Sequence, residues 1–155
     1  MIQTCGGVVD KFIGDAIMAT WGGLSPLVPQ NADFALQACL QMREKLELLN
    51  LTLKNDYGVE LKMGMGLNYG EAVVGTLGSD ERMEFTSIGD AVNMAARVES
   101  LTKEFSCDFL VTQEFLNYLG QSEGFTFVTE QSLRGKKQST KLFTFKPTKI
   151  QQQVS

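Results

Sequence analysis

The sequence predicts an α+β domain, and three observations carry that reading. Strand-like runs arrive in hairpin pairs, amphipathic helical stretches stand between them, and the glycine-rich segment in mid-chain is not followed by the helix that a doubly wound parallel sheet requires. With 155 residues, 43% of them apolar, the chain fits one domain and can bury a sizeable core if every strand it needs is present.

The opening run is "GGVVDKFIGDAIMATWGG". Its β-prone pieces "VVDKFI" and "AIMATW" flank Gly14 and Asp15, the composition of a tight hairpin whose glycine tolerates a positive φ. Asp10 can face water from such a strand, whereas Lys11 and Asp15 are charges in an otherwise apolar run and ask for a reason. "GGLSPLVPQN" is a loop punctuated by Pro26 and Pro29. From Asn31 the pattern turns helical. Phe34, Leu36, Leu40, Met42, Leu46 and Leu49 recur in part at threes and fours, until Asn55, Asp56, Tyr57 and Gly58 stop the helix. "VELKMGMGLNYGEAVVGTLG" has alternation and glycines but no helical period, so it predicts strands with tight connections, and "ERMEFTSI" continues as strand. Gly89 and Asp90 open a second helix, with Asp90 as its cap and Ala91, Met94, Ala95, Val98, Leu101 and Phe105 as its apolar stripe. "CDFLVT" predicts a strand and "QEFLNYLG" a short helix, and "FTFVTE" with "KLFTFK" forms a closing strand pair around the basic loop "LRGKKQST". The helices are expected on one face of the sheet.

Composition excludes several chemistries. The formal charge of −4 offers no broad basic stripe for nucleic acid or an anionic membrane, so neither is expected as a partner. No run approaches the roughly 18 to 20 apolar residues of a membrane span, and no signal peptide is recognisable, which predicts a soluble cytoplasmic domain. The three cysteines lie far apart without a C-x-x-C pair, as reduced core thiols would. With no histidine in the chain, imidazole bases, Ser-His-Asp and Cys-His nucleophiles and H-E-x-x-H metal sites are out. Carboxylates, Lys, Arg, amides, hydroxyls or metal ions must carry any chemistry.

The string "GMGLNYG" is spaced G-x-G-x-x-x-G and lacks a following helix, so its glycines are better explained by strand bending or by close approach of another backbone than by a dinucleotide site. Lys11 and Asp15 have two readings: an ammonium for a ligand acceptor and a carboxylate for a hard cation such as Mg²⁺, or an ordinary half-exposed strand and turn. Asn93 and Arg97, four apart on the second helix, form either a clamp for a ribose and a phosphate or a solvated face. Arg134, Lys136, Lys137 and Lys141 either steady phosphates or keep a loop wet.

Taken together, "VDKFIGDAIMATWG", "GMGLNYGEAVVGTLGS", "EFTSIGDAVNMAARVES" and "LRGKKQSTKLFTF" resemble consecutive blocks of the class III nucleotidyl cyclase catalytic domain, the adenylate and guanylate cyclase family. The resemblance runs from Gly6 to about Phe145 and implies a catalytic domain over residues 1–146 with a polar tail over 147–155. It implies a ferredoxin-like antiparallel sheet with helices and a head-to-tail homodimer whose active sites are shared between protomers. By motif position Asp15 matches the second of two metal-binding aspartates, and Lys11 and Thr86 match the two base-recognising positions. Lysine and threonine there point to adenine: lysine donates to N1, and a hydroxyl accepts from the 6-amino group. Asn93 matches the ribose-orienting asparagine and Arg97 the arginine that stabilises charge on the α-phosphate. Arg134 stands where the family usually has a phosphate-binding lysine, with Lys136 as a fallback. The implied reaction converts ATP to 3′,5′-cyclic AMP and pyrophosphate with two Mg²⁺ or Mn²⁺ ions. In the dimer, Asp15 and Lys11 of one chain serve different active sites.

The chain departs from the family pattern at its start. The F-x-D-[IV] strand that carries the first metal aspartate, and the two helices after it, are not in the sequence. The expectation is therefore a cyclase fold lacking its first strand and first two helices, with an interrupted sheet and severely reduced activity as an isolated fragment of a protein that can be membrane-tethered elsewhere. A guanylate or relaxed-specificity cyclase, or a non-catalytic module that binds nucleotide and dimerises, are the competing expectations.

Overall fold

The computed structural model describes residues 1–79, 82–132 and 139–145. After a 3-10 turn at Gln3–Cys5, the elements are β1 (Val8–Ile13), β2 (Ala16–Thr20), α1 (Asn31–Tyr57), β3 (Met65–Leu67), β4 (Val73–Ser79) and β5 (Arg82–Ile88). They continue with α2 (Asp90–Glu104), β6 (Phe109–Thr112), α3 (Gln113–Leu116), β7 (Phe125–Gln131) and β8 (Thr140–Phe145). The strands form three ladders among the described residues: the hairpins β1-β2 and β4-β5, and a four-stranded sheet in the order β3-β6-β8-β7. In that sheet β3 runs parallel to β6, and the other neighbours are antiparallel. The α+β class holds, but neither hairpin is hydrogen-bonded into the larger sheet.

Strand β6 reads "FLVT", and all four residues are buried, the pattern of a strand covered on both faces. Phe109 and Val111 pack with Ala32, Ala35 and Cys39 of α1, while Leu110 packs with Met94 and Val98 of α2 and Leu142 of β8. Side chains alternate across a strand, so α1 and α2 lie on opposite faces of this sheet. The expectation that helices share one face is corrected here: a strand that is buried at every position has no face to give to water.

Helix α1 buries only part of the stripe its large apolar residues suggested, with Leu36 and Met42 packed, partly buried, against the core. Ala32, Ala35, Ala38 and Cys39 are buried, whereas Phe34 and Leu49 are exposed. Gly58 ends the helix at φ 67°, in the left-handed conformation that a terminal glycine adopts without penalty.

Helix α2 buries Met94, Val98 and Thr102. Its cap is Gly89 rather than Asp90, because the backbone there takes φ 146°, which a residue with a side chain rarely adopts. Asp90 becomes the first helical residue, where a carboxylate favours the positive end of the helix dipole. The glycines of "GMGLNYG" explain how closely α2 sits. A Cβ on Gly66 would run into the backbone of Glu99 and Ala95, and one on Gly64 into the Thr102 hydroxyl. Close backbone approach is the reason for these two glycines.

Candidate functional site

The β1-β2 hairpin turns through Gly14, whose φ of 63° is the conformational freedom the turn needs. Val9 lies opposite Ala19 and Lys11 opposite Met18, so Asp10 is an extra residue, a β-bulge in the first strand. Regular alternation would send Asp10 and Lys11 to opposite faces. The bulge cancels that. Lys11 Nζ lies 3.9 Å from Asp10 Oδ1, and the Asp10 side chain is 0% exposed.

Strand β5 supplies the other half of the cluster. Glu84 and Thr86 are two apart and therefore share a face, opposite Leu77 and Gly75 of β4. Lys11 Nζ donates to Glu84 Oε2 at 3.1 Å. The Thr86 hydroxyl donates to Asp10, at 2.8 Å to Oδ1 and 3.1 Å to Oδ2, and the Ser87 N–H donates to Oδ2 at 2.9 Å. Buried and held by these donors beside an ammonium, the Asp10 carboxylate is compensated as an interior charge must be. It ties the first hairpin to the second.

The two expected base-reading residues, Lys11 and Thr86, are thus brought into one cluster from segments distant in sequence, each hydrogen-bonded to its own carboxylate and the two halves joined by the 3.9 Å Lys11–Asp10 ion pair. Asp10 and Glu84 belong to the same cluster and were missed. Strand alternation alone leaves Asp10 facing water, and the bulge that turns it inward depends on pairing that no local pattern records. The charge run "DK" ahead of the turn was the available signal.

The remaining expected residues sit on other supports. Asp15 is exposed at the hairpin tip. Asn93 and Arg97 are exposed one turn apart on α2, whose position is set by Gly64 and Gly66. Lys141 stands opposite Glu130 in the β7-β8 ladder. Arg134, Lys136 and Lys137 lie outside the described residues. Among the described residues no three of His, Cys, Asp and Glu cluster into a metal site. They offer Asp15 as one exposed carboxylate and do not by themselves build a two-metal centre. Burial pushes the Cys39 thiol up to about 12, against a weaker opposing effect of Arg43, and Cys107 is raised chiefly by burial as well.

No helix among the described residues is long and apolar enough to cross a membrane. The family model for the adenylate and guanylate cyclase catalytic domain matches residues 8–146. An adenylate cyclase of Anabaena cylindrica is 37% identical over 129 residues, a match covering 81% of this chain and 24% of that protein. The adenylyl cyclase CyaB from P. aeruginosa has a similar fold, with a TM-score of 0.83 at 24% identity over 96% of this chain and 76% of that one. The guanylyl cyclase Cya2 is also similar, with a TM-score of 0.75 at 27% identity over 92% of this chain and 71% of that one. The chain belongs to the class III nucleotidyl cyclase family and has its catalytic-domain fold. It spans about a quarter of the length of its Anabaena relative.

Proposed function

We propose that this chain is part of an adenylate cyclase catalytic domain, occupying residues 1–146, that turns ATP into 3′,5′-cyclic AMP and pyrophosphate in the complete protein. The observation that carries the choice of adenine is the Lys11 and Thr86 cluster: an ammonium and a hydroxyl, tied together through Glu84 and Asp10, on adjoining hairpins. Adenine presents an acceptor at N1 and a donor at its 6-amino group, and guanine presents the reverse at both positions. The adenylate cyclase relative supports the same choice.

In the reaction the ribose 3′-oxygen bonds to the α-phosphorus as its proton leaves, and the bond to the β-phosphate oxygen breaks with departure of pyrophosphate. Asn93 orients the ribose, and the Arg97 guanidinium stabilises charge that develops on the α-phosphate oxygens. Arg134 and Lys136 hold the leaving phosphates. Divalent metal belongs to the family's chemistry, and Asp15 is the residue we assign to it here.

The active assembly we infer is a homodimer. Phe12 (72%), Ile13 (59%), Ile17 (52%), Met83 (61%) and Phe85 (62%) are apolar and more than half exposed, all on the two hairpins that carry the base-reading cluster. The test of the whole reading is turnover of ATP and GTP with Mn²⁺, on this chain and on a version extended at its N-terminus. Cyclic AMP from ATP at a rate at least about tenfold above cyclic GTP from GTP is expected in the extended version, corresponding to ~1.4 kcal/mol of discrimination. Preference for GTP would reassign it to the guanylate cyclases. Nucleotide binding without turnover in the extended version would leave a non-catalytic module.

A further inference from the structure

The base-reading hydroxyl has a direction, and Asp10 sets it. A threonine hydroxyl has one hydrogen to give and two lone pairs to offer, so it can read either an amino group or a carbonyl depending on where its hydrogen points. On its own it discriminates poorly between adenine and guanine. In this structure the hydrogen is committed: the Thr86 hydroxyl donates to the Asp10 carboxylate. The carboxylate is acceptor-only and is itself fixed, through the Ser87 N–H on one oxygen and the bulge that turns its side chain inward. What remains on the Thr86 oxygen for a ligand is an acceptor. Room exists beside it, because its cross-strand neighbour is Gly75, and a Cβ there would meet nothing within 4 Å.

We propose that Asp10 is a positioning residue for base specificity: by holding the Thr86 hydrogen it makes that hydroxyl an acceptor, which selects the 6-amino group of adenine and rejects the 6-oxygen of guanine. The inference rests on the reading of Lys11 and Thr86 as base-recognising residues. It differs from a purely structural role for the buried aspartate, because it makes selectivity depend on the acceptor-only character of the carboxylate rather than on its bulk.

Asp10→Asn separates the two roles. The amide has the same shape, but with its oxygen kept on the Ser87 N–H it presents an NH₂ to Thr86 and donates where the carboxylate accepted. The Thr86 hydroxyl then accepts from Asn and points its own hydrogen at the base. Binding of the non-cyclisable α,β-methylene analogues of ATP and GTP to this chain with Mn²⁺, by calorimetry, reads the consequence. The wild-type chain is expected to bind the ATP analogue at least about tenfold more tightly, and Asp10→Asn to erase or invert that ratio. Thr86→Val should lower the ratio too, and in that background Asp10→Asn should change it no further.

A wild-type chain without preference for the ATP analogue removes the base-reading assignment and this inference with it. A wild-type preference that survives Asp10→Asn, with both affinities falling together, overturns the inference alone. So does an Asp10→Asn effect that persists undiminished in the Thr86→Val background. If Asp10→Asn does not fold, the wild-type chain still decides by NMR. The Thr86 hydroxyl proton should exchange slowly and stay protected when the ATP analogue binds, and its release on binding would overturn the proposal.

Discussion

At the scale of single residues, Lys11 is held by opposite charge on two sides, 3.1 Å from Glu84 and 3.9 Å from Asp10. Lys11→Glu would place three carboxylates together, so it is expected to lower both thermal stability and ATP use, whereas Lys11→Gln removes the charge without adding repulsion. If Lys11 reads adenine, Lys11→Gln should raise the KM for ATP about tenfold in the extended enzyme with a smaller loss of melting temperature than Lys11→Glu. Equal effects of both variants on stability, with ATP use untouched, would confine Lys11 to a structural ion pair. Cys39 allows a cleaner pH argument. Its folded pKa is raised to about 12 from 9.0, so the folded state keeps a proton that the unfolded chain releases. The stability this represents is fully present below about pH 9 and is lost as pH rises toward 12. The difference in unfolding free energy between the wild-type chain and Cys39→Ala, followed by urea titration, should therefore shrink from about pH 9 upward and be flat below it. A difference that stays constant through that range would contradict the burial-driven shift.

At the scale of elements, much was legible because local chemistry decides it. Gly14 made the first hairpin readable, and Gly58 the end of the long helix, since each stands where a positive φ is needed. The glycine string was legible as a place of either strand bending or close backbone approach, though which of the two, and with what partner, was not. The structure shows it to be α2, and this makes a sharp prediction. Gly66→Ala would drive its Cβ into the backbone of Ala95 and Glu99, which cannot move aside as a side-chain tip can. The cost is expected at about 1–3 kcal/mol or more, seen as a fall of several degrees in melting temperature. Because Asn93 and Arg97 ride on α2, activity of the extended enzyme should fall in kcat more than in KM. Gly75→Ala, on a strand with open space around it, should leave stability nearly unchanged. What the sequence concealed were features settled by pairing and packing partners. The bulge at Asp10 exists only against the register of β2, and the fully buried positions of α1 are the small Ala32, Ala35, Ala38 and Cys39, which the spacing of its large apolar residues did not single out.

At the scale of the whole molecule, the arrangement of ladders and the distribution of exposed apolar residues point the same way. Alternation along β5 sends Glu84 and Thr86 toward the first hairpin and leaves Met83 and Phe85 on the opposite face, each more than half exposed. On β1 and β2, Phe12 and Ile17 stand directly opposite one another and are likewise exposed. Isolated two-stranded ladders are marginal in water and hold best when one face is covered. An apolar face on each hairpin, beside the polar cluster to which base reading is assigned above, is what the proposed dimer would bury. Self-association should then be both concentration-dependent and coupled to nucleotide. Sedimentation of the wild-type chain is expected to show dimer at micromolar concentrations, with more dimer when Mn²⁺ and the ATP analogue are added, because a ligand that contacts both protomers favours their complex. Phe85→Asp, which places a charge on that face and leaves the Asp10 bonds to Thr86 and Ser87 in place, should give monomer and lose turnover in the extended enzyme while circular dichroism stays unchanged. A variant that remains dimeric and active would move the interface off the hairpins, and the exposed face of Met83 and Phe85 would need another partner.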